Sequence, residues 1–90
     1  MPVPVILASP TFRNGVSDGL VVDRSTGGLK IIMRMAMVPG SLMQARAANA
    51  PDTVGFVGLV IRSCRPDGDQ YLVGCEFEKT PPWNVLLLFG

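Results

Sequence analysis

Six consecutive residues, Asp23-Arg24-Ser25-Thr26-Gly27-Gly28, concentrate the hydrogen-bonding chemistry of this sequence. They offer a carboxylate, a guanidinium, two hydroxyls and two flexible glycines within one turn. A turn of this kind can present successive backbone N–H groups to an anion. The hydroxyls of Ser25 and Thr26 can add donors. Asp23 can accept from the N1–H and exocyclic amine of a guanine edge, which places two donors side by side. The same residues also suit a purely structural turn. An aspartate at a turn start often caps its own backbone, and glycines often supply positive φ.

Little other chemistry is visible. The 90 residues contain no histidine, which removes the commonest general base and metal ligand. Cys64 and Cys75 are the only thiols. Without histidine they make a zinc site improbable, so no metal or resident cofactor is expected. No nucleophile–base set stands out, and the expectation is a non-catalytic binding module. Eight basic and seven acidic residues give a net charge of +1 without a basic stripe, which argues against a nucleic-acid polymer as partner. Residues 1–8 lack a basic leader region, and the apolar run Val85 to Phe89 is far too short for a membrane span. A cytoplasmic location with reduced thiols is the default expectation. At 48% hydrophobic, the chain is apolar for its size, so a protein partner or homo-oligomer is expected to cover part of its surface.

The elements that must hold the turn are strands. Ten glycines and eight prolines cut the chain into short runs rich in Val, Ile, Leu and Met. Pro2 to Ala8 reads as a first strand and Val16 to Val22 as a second. Leu29 to Val38 alternates with period two: Leu29, Ile31, Met33, Met35 and Met37 share one face, Lys30 and Arg34 the other. Ser41 to Ala48 is a fourth strand after the Pro39-Gly40 turn. Val54 to Cys64 is a fifth, whose Gly55 and Gly58 mark bulges or close backbone approach. Gln70 to Glu78 returns as the sixth after Arg65-Pro66-Asp67-Gly68-Asp69. A hairpin centred near Asp67-Gly68 pairs position 64 with about 71, so Cys64 and Cys75 are expected to stay unbridged. Six short strands without a βαβ pattern imply an all-β fold, a small antiparallel barrel spanning 1–90 as one domain. Residues 79–90 form an apolar tail. It either docks a partner or folds back over an open barrel end.

Together these segments resemble the PilZ domain family. Asp23-x-Ser25-x-x-Gly28 matches its D/N-x-S-x-x-G motif. Gly28-Leu29-Lys30-Ile31 looks like the start of its third strand. Val60 to Arg62, the Asp67-Gly68 hairpin and Gly74-Cys75-Glu76-Phe77 resemble its last two strands, written V-V-R, turn, G-x-x-F. The similarity covers roughly residues 3–78. It implies a six-stranded barrel that binds cyclic di-GMP, with Asp23, Ser25, Gly27 and Gly28 as ligand residues and Arg24 as an auxiliary phosphate contact. It also implies a second motif, R-x-x-x-R, before the first strand, whose planar guanidinium forks stack on guanine and pair with phosphates. That motif is missing here. Only Met1-Pro2 precede Val3, and no two arginines are four apart. The expectation is therefore an impaired cyclic di-GMP effector domain with weak or no binding. The alternative is a degenerate member that acts through protein contacts or dimerisation.

Overall fold

A computed structural model describes residues 2–90. Six strands close into an antiparallel barrel: β1 Val3–Ala8, β2 Val16–Arg24, β3 Gly28–Met33, β4 Leu42–Ala47, β5 Val57–Asp67 and β6 Gln70–Phe77. Their order around the barrel is β1-β2-β3-β6-β5-β4, and β4 closes onto β1. The all-β, six-stranded expectation thus matches the structure. Alternation fills the interior. Val5, Leu7, Ile31, Met33, Met43, Ala45, Leu59, Ile61 and Val73 are all at most 1% exposed and belong to one contiguous core.

Two residues interrupt the alternation, and both set the functional face. In β2, Val21 pairs with Ile31 and Asp23 with Lys30, leaving Val22 as an extra, bulged residue. In β5, Ile61 pairs with Cys75 and Ser63 with Gly74, leaving Arg62 extra. A bulge reverses the side to which every later residue points. Of Gly55 and Gly58, expected to mark bulges or close backbone approach, neither is bulged: Gly55 precedes β5, whereas Gly58 lies in close approach to Glu78, whose N–H donates to the Gly58 carbonyl and whose side chain occupies the space of a Cβ.

Three further expectations are corrected. The third strand ends at Met33, not Val38, because β3 and β4 are not neighbours and residues 34–41 must cross one barrel end. Met37 turns back into the core there, whereas Met35 is 37% exposed and leaves the inner face. The fifth strand starts at Val57, not Val54, because Arg46 donates to the backbone oxygens of Ala50, Pro51 and Val54 and holds the preceding segment as a loop. The last hairpin turns on Gly68-Asp69, so Cys64 pairs with Val73 and not with 71. Gly68 has φ +64° and Asp69 does not share the positive φ, the pattern of a type II′ hairpin turn.

The tail folds back. A short helix α1, Trp83–Leu86, and the 3₁₀ turn Leu87–Phe89 bury Leu86 and Phe89, and the Phe89 ring lies 6.5 Å from that of Phe77. Among the described residues no helix is long and apolar enough to cross a membrane.

Both cysteines are free. Burial, with a smaller contribution from Cys64, pushes the Cys75 thiol up to about 12 from its ordinary 9.0. Its folded value lies above its unfolded one, so this group leaves stability intact below about pH 9 and subtracts from it as pH climbs toward 12. Urea melts at rising pH should show an alkaline loss approaching about 1.4 kcal/mol per pH unit from this group alone. In Cys75→Val the slope should flatten; an unchanged slope would place the alkaline loss elsewhere.

Candidate functional site

The bulge at Val22 decides where the turn residues point. Without it, Asp23 would share the inward side of Val21. With it, Asp23 lies exposed on the outer face beside its cross-strand partner Lys30. Lys30 in turn pairs with Gly74 on β6, and Gly28 pairs with Glu76. Arg24 lands one step further round, at the barrel mouth, where its Nε donates to the backbone oxygen of Gly90 at 2.8 Å.

The connection between β2 and β3 is tight. Ser25 N–H donates to the Gly28 carbonyl at 3.0 Å, and Gly27 N–H donates to Ser25 Oγ at 3.3 Å. The Gly27 carbonyl accepts from Phe77 N–H at 2.9 Å, which ties the tip to the end of β6. Two N–H groups expected to face an anion are therefore engaged within the turn. The Ser25 hydroxyl remains able to donate outward, because it uses only a lone pair here.

The two glycines have different reasons to exist. Neither has a positive φ. At Gly28 a Cβ would run into the backbone carbonyl of Cys75, so close strand approach excludes any side chain. At Gly27 the nearest heavy atom to such a Cβ is Ser25 Oγ at 3.9 Å, an ordinary contact. Gly74 is less confined: a Cβ there would lie 2.5 Å from Ser63 Oγ, a contact that rotation of the hydroxyl relieves.

Gly28 and Gly74 leave the barrel wall bare between the turn and β6. The result is a shallow, solvent-open groove of about 510 Å³. Asp23, Arg24, Ser25, Gly27 and Gly28 all line it, so the structure brings together the whole set expected from the sequence. It adds Lys30, Arg62, Glu76 and Thr80, which the motif did not reveal. Lys30 was legible as a polar-face residue of its strand. Arg62 and Glu76 arrive through pairing between β5 and β6, and Arg62 Nε donates to Glu76 Oε2 at 3.1 Å. Three cations thus face two carboxylates around a flat floor. Such an arrangement can accept hydrogen bonds from a ligand's donors and attract negative charge. Of the other arginines, Arg46 is committed to its loop and Arg34 pairs with Asp18 at 3.9 Å.

The family model described as PilZ domain matches residues 4–86, nearly the whole chain. No curated protein matches it.

The contrast between the glycines is measurable. Gly28→Ala should destabilise the fold by about 1–3 kcal/mol, the cost of forcing a methyl into a packed contact. Gly27→Ala should change stability by less than about 0.5 kcal/mol, as surface substitutions do. Equal effects in denaturant melts would refute the distinct steric role of Gly28.

Proposed function

The chain belongs to the PilZ domain family, and from that membership we propose that it is a non-catalytic receptor module for cyclic di-GMP, with the Asp23–Gly28 groove as its site. The observation that carries the reading is the outward placement of Asp23 beside Lys30 over the bare wall at Gly28 and Gly74. A guanine lying on that wall would offer N1–H and its exocyclic amine to the Asp23 carboxylate. The Ser25 hydroxyl would donate to a phosphate oxygen. Arg24 and Arg62 would supply charge to the phosphates, each by giving up its present acceptor, Gly90 O or Glu76. Because each exchange costs an existing bond, these two arginines compensate only partly for the R-x-x-x-R pair that this sequence lacks. Two charge-assisted contacts at about 1.5–3 kcal/mol each correspond to roughly two to four decades of affinity. The proposal is therefore a weak receptor, working in the cytoplasm, where unpaired thiols persist.

Calorimetry tests this on the 90-residue chain and on a version carrying an R-x-x-x-R segment before Pro2. The chain itself should bind cyclic di-GMP with a Kd of about 1 mM or weaker, and the extended version about a hundredfold or more tighter. Asp23→Ala in the extended version should weaken binding at least about tenfold, the loss of a charged hydrogen-bond acceptor. Micromolar binding by the unmodified chain would show that the arginine pair is dispensable. Failure of the extended version to bind would remove the nucleotide reading.

A further inference from the structure

The bulge at Arg62 has a second effect further along β5. Ile61 lies in the core, so an unbroken strand would turn Ser63 and Arg65 inward as well. With the extra residue, both lie exposed on the outer face. Ser63 pairs with Gly74 on β6, and Gly74 pairs with Lys30 on β3. Lys30, Gly74 and Ser63 are therefore abreast on three adjacent strands. In the next row Arg65 stands beside Leu72 of β6. These five residues line a hollow of about 200 Å³, which shares Lys30 and Gly74 with the groove and continues it onto β5.

The chemistry of this hollow is one-sided. Its lining holds two cations, one hydroxyl and no carboxylate. Arg34, Arg46 and Arg62 sit in ion pairs, whereas Lys30 and Arg65 pair with no carboxylate among the described residues. Glu76, the acid next along β6, is held by Arg62. Asp23, opposite Lys30, and Asp67, two residues beyond Arg65, lie outside the hollow. Ser63 Oγ lies over the bare glycine and, unlike the hydroxyls of Ser25 and Ser41, has no hydrogen-bond partner among the described residues. Two unpaired cations on one wall repel each other, and an anion between them relieves that repulsion. We propose that Lys30, Ser63 and Arg65 form a subsite for a phosphate-class oxyanion. Arg65 offers a planar fork of donors, Lys30 a point charge and Ser63 a neutral donor. At about 30 Å³ per water, the hollow has room for one tetrahedral oxyanion with part of its hydration. Two sources carry this chemistry. One is a phosphodiester of a nucleotide lying in the adjoining groove, which rests on the cyclic di-GMP reading. The other is a free inorganic phosphate, which does not.

Inorganic pyrophosphate, titrated at constant ionic strength into the isotope-labelled whole chain and followed by NMR, tests the subsite without any nucleotide. The amides of Ser63, Arg65 and Gly74 should shift along a saturable curve in the millimolar range, as hydrated charges dictate. Arg65→Ala should raise the pyrophosphate Kd at least about threefold, the loss of one exposed charge contact, and Ser63→Ala should raise it less. Arg13→Ala removes the same charge from the exposed loop before β2 and should leave the Kd unchanged. All three positions are exposed, and retained amide dispersion will show that the variants stay folded. Cyclic di-GMP, titrated in parallel, separates the sources. Weakening of both ligands by Arg65→Ala assigns the subsite to a phosphate of the nucleotide. Weakening of pyrophosphate alone assigns it to free phosphate, and if the nucleotide then shifts no amide, the cyclic di-GMP reading falls while the subsite stands. Shifts that do not saturate, or equal losses in Arg65→Ala and Arg13→Ala, would mean that pyrophosphate senses only net charge. Either result overturns the inference, whatever the nucleotide does.

Discussion

A strand shows its residues to alternate sides, so a single unpaired residue reverses everything that follows it. The bulge at Val22 is that residue for β2. It allows Val21 to lie in the core and Asp23, only two positions on, to face solvent. The same reversal carries Arg24 to the barrel mouth and within reach of Gly90. The bulge at Arg62 acts one row further along, on β5, between Ile61 in the core and Ser63 outside. Between them, the two bulges convert an ordinary barrel wall into a charged face with a bare floor. The cost is one lost ladder position in each strand, which the closed circuit of neighbours tolerates.

The groove is open, and this shapes what it can do energetically. Its charges are hydrated, so each is worth far less than a buried pair. The Arg62–Glu76 pair, with both side chains more than half exposed, contributes little to stability and can exchange partners at small cost. Recognition on such a wall must come from several weak contacts acting together, with stacking or a second segment to exclude water.

The sequence made the architecture legible where local rules decide it. Alternation from Leu29 to Met33, the glycine-containing hairpin and the six-residue turn all depend on near neighbours. The misses have a common origin in distant pairing. Val22 and Arg62 are ordinary strand residues, and nothing in their types marks them as unpaired; only the lengths of their partner strands do. Met35 continues the alternation of β3 perfectly, yet the chain must leave the sheet to reach β4. The last hairpin is displaced because Gly68 opens the turn rather than ending it, which moves each partner by two residues. Arg62 and Glu76 could not be assigned to the turn from spacing alone, because strand pairing brings them there from a distant part of the chain.

The tail also brings the two ends of the polypeptide together. A side chain at Gly90 would touch Val3 Cγ2 at 3.2 Å, and Arg24 grips the same residue's backbone. Topologically the chain is almost a ring, opened at one point on the rim beside the turn. A unit of this kind can be spliced into a surface loop of a larger protein with little distortion of either, since the host needs to spare only the gap of one turn. Its geometry also means that any flanking polypeptide leaves from the rim that carries Arg24.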